Sequence, residues 1–398
     1  MTNPDLNALE STLQEQLPGI IDFRHDLHRW PELGYEENTT AQKIAEKLSA
    51  LPGFDIREGL ANTGIVATLN AATDGPCIGF RADMDCLPME DTSGKPWASQ
   101  RPGLAHACGH DGHTACLLGT AELLARHRDH LRGPVKFIFQ PAEEGGAGGR
   151  AMMEAGALKN PTPAYLFGLH GLPQHPVGTF GVASGPVMAA SDVLKIQIQG
   201  KGSHAAMPHL GKDPIVTAAQ VITALQTLTS RNTDPLDHAV VTVARIRGGE
   251  TFNVIPDTVD LLGTIRTLRE ETRLRLHEDL SRLVPSVAHA LGCQARVEVE
   301  KGYPVCVNHP EATDFLNTSF QGEWMQSARK VQQEPMMAAE DFAFYGAEVP
   351  SAFFFVGVRD PGESEPALLH QSHYDFNDDS IPFAIRAFSS LALHFQGQ

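Results

Sequence analysis

Eight consecutive residues, His106-Ala-Cys108-Gly-His110-Asp-Gly-His113, hold one thiol, three imidazoles and one carboxylate. That mixture of sulfur, nitrogen and oxygen donors is what borderline-soft divalent metals take. Glycines at 109 and 112 allow close turns, so neighbouring side chains can converge on one point. Two more carboxylates arrive just before it, at the end of the strand-like run Cys77-Ile-Gly-Phe-Arg-Ala-Asp83-Met-Asp85. A turn containing satisfied histidines would account for any one imidazole, but not for the whole cluster.

Further donors stand at the ends of other apolar runs. Glu143-Glu144 follow Val135-Lys-Phe-Ile-Phe139 and Gln140-Pro141, His170 ends an apolar stretch over 164–169, and His370 lies in Leu369-His370-Gln-Ser-His-Tyr-Asp-Phe-Asn. Parallel strands present their C-terminal ends on one side, so residues far apart in the chain can meet there. Cys108, His110, Glu144, His170 and His370 are thus a candidate set for one or two ions of the zinc or manganese kind, with the thiol deprotonated by the metal. Cobalt and nickel satisfy the same donors. Adjacent glutamates leave the backbone in different directions, so one can ligate while the other acts as general base on a metal-activated water. The glycines of 145–149 are expected to give substrate close access to the backbone, and no Gly-Lys-Ser/Thr follows to make them a phosphate loop. There is no Gly-x-Ser-x-Gly elbow, no Gly-x-Gly-x-x-Gly after a strand and no His-Glu-x-x-His helix. A Cys108–His nucleophilic pair remains an alternative, one that leaves the other donors unexplained.

The elements that must position these residues alternate. Helices are expected over 6–29 and 39–51, strands over 64–69 and 77–82, a helix over 114–131, a strand over 135–139, a helix over 150–158 and a strand over 164–169. This is the order of an α/β fold with a mainly parallel sheet covered on both faces. Arg24, His25, His28 and Arg29, at helical spacing, read as a solvated face. The character changes near residue 186. Strand 192–199, helix 213–230, strands 239–247 and 258–266, helix 270–291 and strand 294–301 make the βαββαβ order of a small ferredoxin-like α+β domain. Residues 187–301 are read as this insert, and 1–186 with 302–398 as the metal-binding domain, which closes with strand 352–358 and helix 381–395.

The 398 residues suffice for two cores, and an apolar share of 42% with 20% charged residues is that of a soluble globular protein. A net charge of −17 argues against nucleic acid or an anionic membrane as partner. No apolar run reaches spanning length, Met1-Thr-Asn-Pro-Asp does not read as a signal peptide, and six cysteines lie scattered without paired spacing. A reduced, cytoplasmic protein is expected.

The motifs His106–His113, Gln140-Pro-Ala-Glu-Glu-Gly-Gly146, Gly200-Lys-Gly-Ser-His-Ala-Ala-Met-Pro-His209, Asn253-Val-Ile-Pro256, Gly263-Thr-Ile-Arg266, Ala339-Glu-Asp-Phe342 and Leu369-His370 with Asp375-Phe-Asn377 resemble, in order, those of the M20 metallopeptidase family. The likeness is to its amidohydrolase branch of hippurate hydrolases, N-acyl-amino-acid deacylases and plant auxin-conjugate hydrolases, and runs from about residue 20 to about residue 385. It implies a zinc-peptidase-like catalytic domain, an inserted lid or dimerisation domain, and a dinuclear metal centre. Its ligands would be Cys108, His110, Glu144, His170 and His370, with Glu143 as base and Asp85 helping to orient the site. His204 would donate to the substrate carbonyl, and Asn253 and Arg266 would hold the substrate, in a homodimer or dimer-based oligomer. The expected reaction is hydrolysis of an N-acyl amino acid to a carboxylic acid and a free amino acid. A dipeptidase or carboxypeptidase of the same family is one alternative. A catalytically silent metal- or ligand-binding scaffold is another, against which Glu143 beside Glu144 speaks.

Overall fold

The computed structural model describes residues 5–395. It divides into two units: one takes the residues up to Gly185, Val307–Glu334 and those from Asp341 onward, the other Pro186–Cys306 and Pro335–Glu340. Among the described residues, eight strands form the main sheet of the first unit. Their spatial order is Phe54–Leu60, Gly64–Leu69, Val135–Gln140, Cys77–Asp83, Pro163–Pro176, Ser351–Arg359, Thr179–Val182, Arg329–Gln332. The middle four run parallel, while antiparallel pairing occurs toward the two ends, so the sheet is mixed but mainly parallel. Strands Gly64–Leu69, Cys77–Asp83 and Val135–Gln140 are buried at every position without alternation, as a sheet covered on both faces requires.

Helices supply the cover by periodicity. In Leu6–Arg29, whose N-terminus is capped by the Asp5 carboxylate accepting from Asn7 N, the buried positions Leu9, Leu13, Gln16, Ile20, Phe23 and Leu27 follow helical spacing. Helices Asn38–Ser49, His110–Arg126 and Ile381–Phe395 share one core with it and with the sheet, in which the Phe80 and Phe388 rings lie 4.9 Å apart. Parallel register then sets the site. Asp83 pairs with Gln140 and Arg81 with Gly168, so Asp83, Gln140 and His170 reach the same edge.

The second unit carries a four-stranded antiparallel sheet in the order Ala239–Arg247, Thr258–Thr267, Ala190–Gln199, Gln294–Lys301. Burial alternates along Ala190–Gln199, and Leu194, Ile196 and Ile198 pack with Ala218 of helix Pro214–Ser230 and Leu280 of helix Glu270–Ala290. The unit runs past residue 301 to Cys306. It also takes Pro335–Glu340, because Ala189 N lies within hydrogen-bonding distance of both Met336 O (3.1 Å) and Ala338 O (2.8 Å).

Two expectations need correction. The helix expected over 114–131 is His110–Arg126: Gly109, at φ 90°, caps it, so His110 and His113 stand inside its first turn and not in a loop. The face Arg24/His28 is not solvated. Arg24 is fully buried against Asp111 (3.3 Å), Asp375 (2.6 Å) and Asp378 (2.8 Å), and buried His28 meets Asp111 (2.8 Å) and Asp91 (3.3 Å). His25, half-buried, stacks on Trp97 at 3.6 Å. The carboxylates come from distant segments that helical spacing cannot reveal. Strands Phe54–Leu60, Thr179–Val182 and Arg329–Gln332 were not anticipated either, being short or polar along the sheet's margins.

Burial disfavours a charged His28, but Asp111 and Asp91 outweigh it and raise its pKa to about 9. An unfolded histidine titrates near ~6.5. The resulting stabilisation is therefore complete below that pH and lost as pH rises through about 9. Urea midpoints should fall between pH 6.5 and 9.5, and His28→Gln should lower the midpoint at pH 6.5 while flattening this part of the profile. An unchanged slope in the variant would remove His28 as its source.

Candidate metal centre

The five donors converge. Cys108 Sγ lies 3.4 Å from His170 Nε2, and His370 Nε2 lies 3.2 Å from Glu144 Oε1. Donor atoms of Cys108, His110 and His170 lie within 4.8 Å of one another, as do those of Cys108, Glu144 and His370, and those of His110, Glu143 and Glu144. The first two triads share the thiol, and the third holds both glutamates. Cys108, His110, His170 and Glu143 are buried, whereas His370, at φ 63°, is exposed and tied through its N–H to Ala107 O at 2.8 Å.

The ring nitrogens show how well this set suits a cation. His110 Nδ1 faces Asp85 O (2.9 Å) and Asp85 Oδ1 (3.2 Å), while its buried Nε2 has no hydrogen-bond partner among the described residues. His170 Nδ1 faces Gly171 O at 2.8 Å and leaves Nε2 toward Cys108. A histidine that donates one N–H to a carbonyl or carboxylate and turns the other nitrogen to a cluster of donors is arranged as metal-binding histidines are. Burial pushes the Cys108 thiol well above its ordinary value, with His110 opposing and Glu144 adding to the rise. A thiolate here requires a cation beside it.

His113, in the same helical turn as His110, is otherwise engaged. Its Nδ1 faces Asp83 Oδ1 at 2.7 Å and its Nε2 accepts from Gly171 N at 2.8 Å. Both nitrogens are used, and burial holds its pKa below the ordinary value. Asp85 touches two of the candidate ligands: besides meeting His110, its Oδ2 accepts from Glu144 N at 2.9 Å. Beneath it lies Arg81, fully buried, donating through Nε to Gln140 Oε1 (2.8 Å), through Nη1 to Asp83 Oδ2 (2.7 Å) and through Nη2 to Asp341 Oδ1 (2.8 Å). Asp341 accepts further from Gln140 Nε2 and Gly149 N, and its own N–H donates to Glu143 Oε1 at 3.4 Å. Burial raises its carboxyl to about 6 despite Arg81. Arg81 was not singled out in the sequence, and Asp341 only as part of Ala339-Glu-Asp-Phe342; a charged residue inside an apolar strand was the available signal.

Packing also requires small residues in the glycine run. A Cβ on Gly148 would overlap Pro141 O, one on Gly149 would come within 2.8 Å of Asp341 O, and one on Gly146 within 2.7 Å of Ala142 Cβ. These three are small because the chain packs on itself. Gly145 alone of them, at φ 84°, faces open space.

His204, Asn253 and Arg266 belong to the second unit. Ser203–His204 pairs with Val254–Ile255, and Ala205 N donates to Asn253 O at 3.0 Å, which brings His204 and Asn253 together at an exposed position. His204 Nδ1 accepts from Ala206 N at 3.1 Å, so the proton of the neutral ring sits on Nε2. Arg266, half-buried in Thr258–Thr267, donates to Ile265 O (3.1 Å) and to Thr264 Oγ1.

Residues 79–394 match peptidase family M20/M25/M40. The chain is 43% identical over 348 residues to N-acetyl-L-cysteine deacetylase of Bacillus subtilis (strain 168), covering 87% of this chain and 82% of that protein. It is 36% identical over 397 residues to thermostable carboxypeptidase 2 of Saccharolobus solfataricus, covering 99% of each. A crystal structure of the Bacillus subtilis YXEP protein, described as a dinuclear metal binding peptidase from the M20 family, superposes with a TM-score of 0.83 at 34% identity, over 96% of this chain and 98% of that one. No helix among the described residues is long and apolar enough to cross a membrane. Donor set, fold and relatives agree: the chain belongs to the M20/M25/M40 peptidase family and is a metal-dependent amidohydrolase or peptidase.

Proposed function

We propose that this enzyme hydrolyses the amide bond of N-acyl amino acids, releasing a carboxylic acid and a free amino acid. The adjacent glutamates carry the reading: Glu144 lies 3.2 Å from His370 among the donors, while Glu143 is buried beside them with Oε1 on the Asp341 N–H. The name of the deacetylase relative supports this substrate class. Cys108, His110, Glu144, His170 and His370 hold two divalent cations, zinc or manganese by donor type, with cobalt and nickel acceptable to the same atoms. When bound, such ions supply Lewis acidity to a carbonyl oxygen and to water. Glu143 takes the proton of the attacking water and passes it to the leaving amine nitrogen. His204 donates through Nε2–H to the carbonyl oxygen as negative charge builds there, its Nδ1 being held by Ala206 N–H. Asn253 helps to hold the substrate, and the planar Arg266 guanidinium grips its carboxylate.

The second unit, with the βαββαβ order and antiparallel sheet of a ferredoxin-like domain, would serve as lid or dimerisation domain of a homodimer in the cytoplasm. The carboxypeptidase relative favours a second reading, in which the acyl half is itself an amino acid. The two differ in whether the site accepts a free ammonium beside the cleaved bond.

A panel of acetyl-, benzoyl- and indoleacetyl-amino acids with unsubstituted dipeptides, assayed on stripped enzyme with each metal restored, separates them. N-acyl amino acids should be turned over fastest, and preference for dipeptides would reverse the choice. Arg266→Ala should raise KM for N-acyl amino acids far more than for their carboxamides; equal losses would remove the carboxylate clamp. Glu143→Gln should keep metal content near wild type while kcat falls by roughly 10²–10⁴. Glu144→Gln should lose metal, and the opposite pattern by elemental analysis would exchange the two roles.

A further inference from the structure

The stretch 32–37, a break between two helices in sequence, is tied to both loops that carry the acidic groups of the site. Cys86 N, immediately after Asp85, donates to Glu32 O at 2.9 Å. Gly34 presses on the other loop: a Cβ there would lie 2.9 Å from Ala142 Cα and 3.5 Å from Asp85 Oδ2, so only glycine permits the approach. The Tyr35 hydroxyl donates to Gly146 O at 2.7 Å. Glu37, fully buried, accepts from Ala142 N at 2.9 Å through Oε1 and from the Thr63 hydroxyl at 2.6 Å through Oε2. Ala142, next to Glu143, is left-handed at φ 53°, and Tyr35 is left-handed at φ 66°. An L-residue stays in that region only where its surroundings hold it. A buried carboxylate on a backbone N–H is a strong directional hold of this kind.

We propose that 32–37 is a brace that sets the direction of Glu143, with Glu37 and Tyr35 as positioning residues acting through Ala142 and Gly146. The proposal rests on Glu143 being the general base. Glu37 holds the residue next to Glu143, whose own contact with Asp341 N is long at 3.4 Å, whereas Glu144 N is held at 2.9 Å by Asp85, so loosening Glu37 bears first on the base.

The test compares Glu37→Met, Glu37→Gln and Tyr35→Phe with Glu143→Gln, all metal-loaded, on the best substrate of the panel. Glu37→Met should lower kcat by about tenfold or more with KM within about twofold and metal content unchanged. Glu37→Gln should recover most of the rate, because its amide oxygen still accepts from Ala142 N and its amide N–H₂ can donate to Thr63. Tyr35→Phe, which removes one bond at a partly exposed side chain, should lower kcat about threefold at an unchanged urea midpoint. It decides the matter if Glu37→Met does not fold. Wild-type kcat in both Glu37→Met and Tyr35→Phe, with Glu143→Gln impaired, overturns the brace alone. A folded Glu37→Gln as slow as Glu37→Met also overturns it, since the bond is then irrelevant. An unimpaired Glu143→Gln overturns instead the assignment of the base.

Discussion

Arg81 projects its guanidinium from the end of the strand Cys77–Asp83 into a space with no access to water, and the arrangement of the centre follows from how its donors are satisfied. Leaving such a charge unpaired costs several kcal/mol, and removing one partner of a buried pair typically costs ~3–5 kcal/mol. Asp83, Gln140 and Asp341 must therefore stand where they do. Each passes that order outward. Asp83 holds His113, which takes the N–H of the residue after His170. Gln140 ends the strand that leads to Glu143, and Asp341 meets both Gly149 and Glu143.

The first turn of helix His110–Arg126 serves two polar clusters at once. Successive helical residues point about 100° apart, so His110 faces the thiol and glutamates while Asp111 faces away to Arg24 and His28. Asp111, buried beside His28 and Arg24, is held well below the usual carboxylate range. Asp83, Asp111 and Asp341 are all buried and matched to internal cations or backbone donors. Gly112, between these clusters, leaves room for the Phe376 ring, which a Cβ would overlap.

What the sequence determined by itself was local or chemical. Helical spacing defines Leu6–Arg29 and Ile381–Phe395, and β-branched or alternating runs define Gly64–Leu69, Ala239–Arg247 and Gln294–Lys301, because each is a property of a few neighbours. The donor types of Cys108, His110, Glu144, His170 and His370 were legible for the same reason: ligand chemistry belongs to the side chain itself. What only the tertiary structure decided was direction and company. His110 and His113 are alike in type and share one helical turn, yet of the two, among the described residues, only His110 keeps a buried nitrogen without a hydrogen-bond partner; strand register put Gly171 N against the other. Arg24 and His28 looked like a wet helix face until Asp91, Asp375 and Asp378, from 63 to 354 residues away in the chain, were brought onto it. The glycines after Glu144 and the carboxylate of Glu37 gained their roles in the same way. A side chain's burial and the partner of each of its atoms depend on segments that no local window contains.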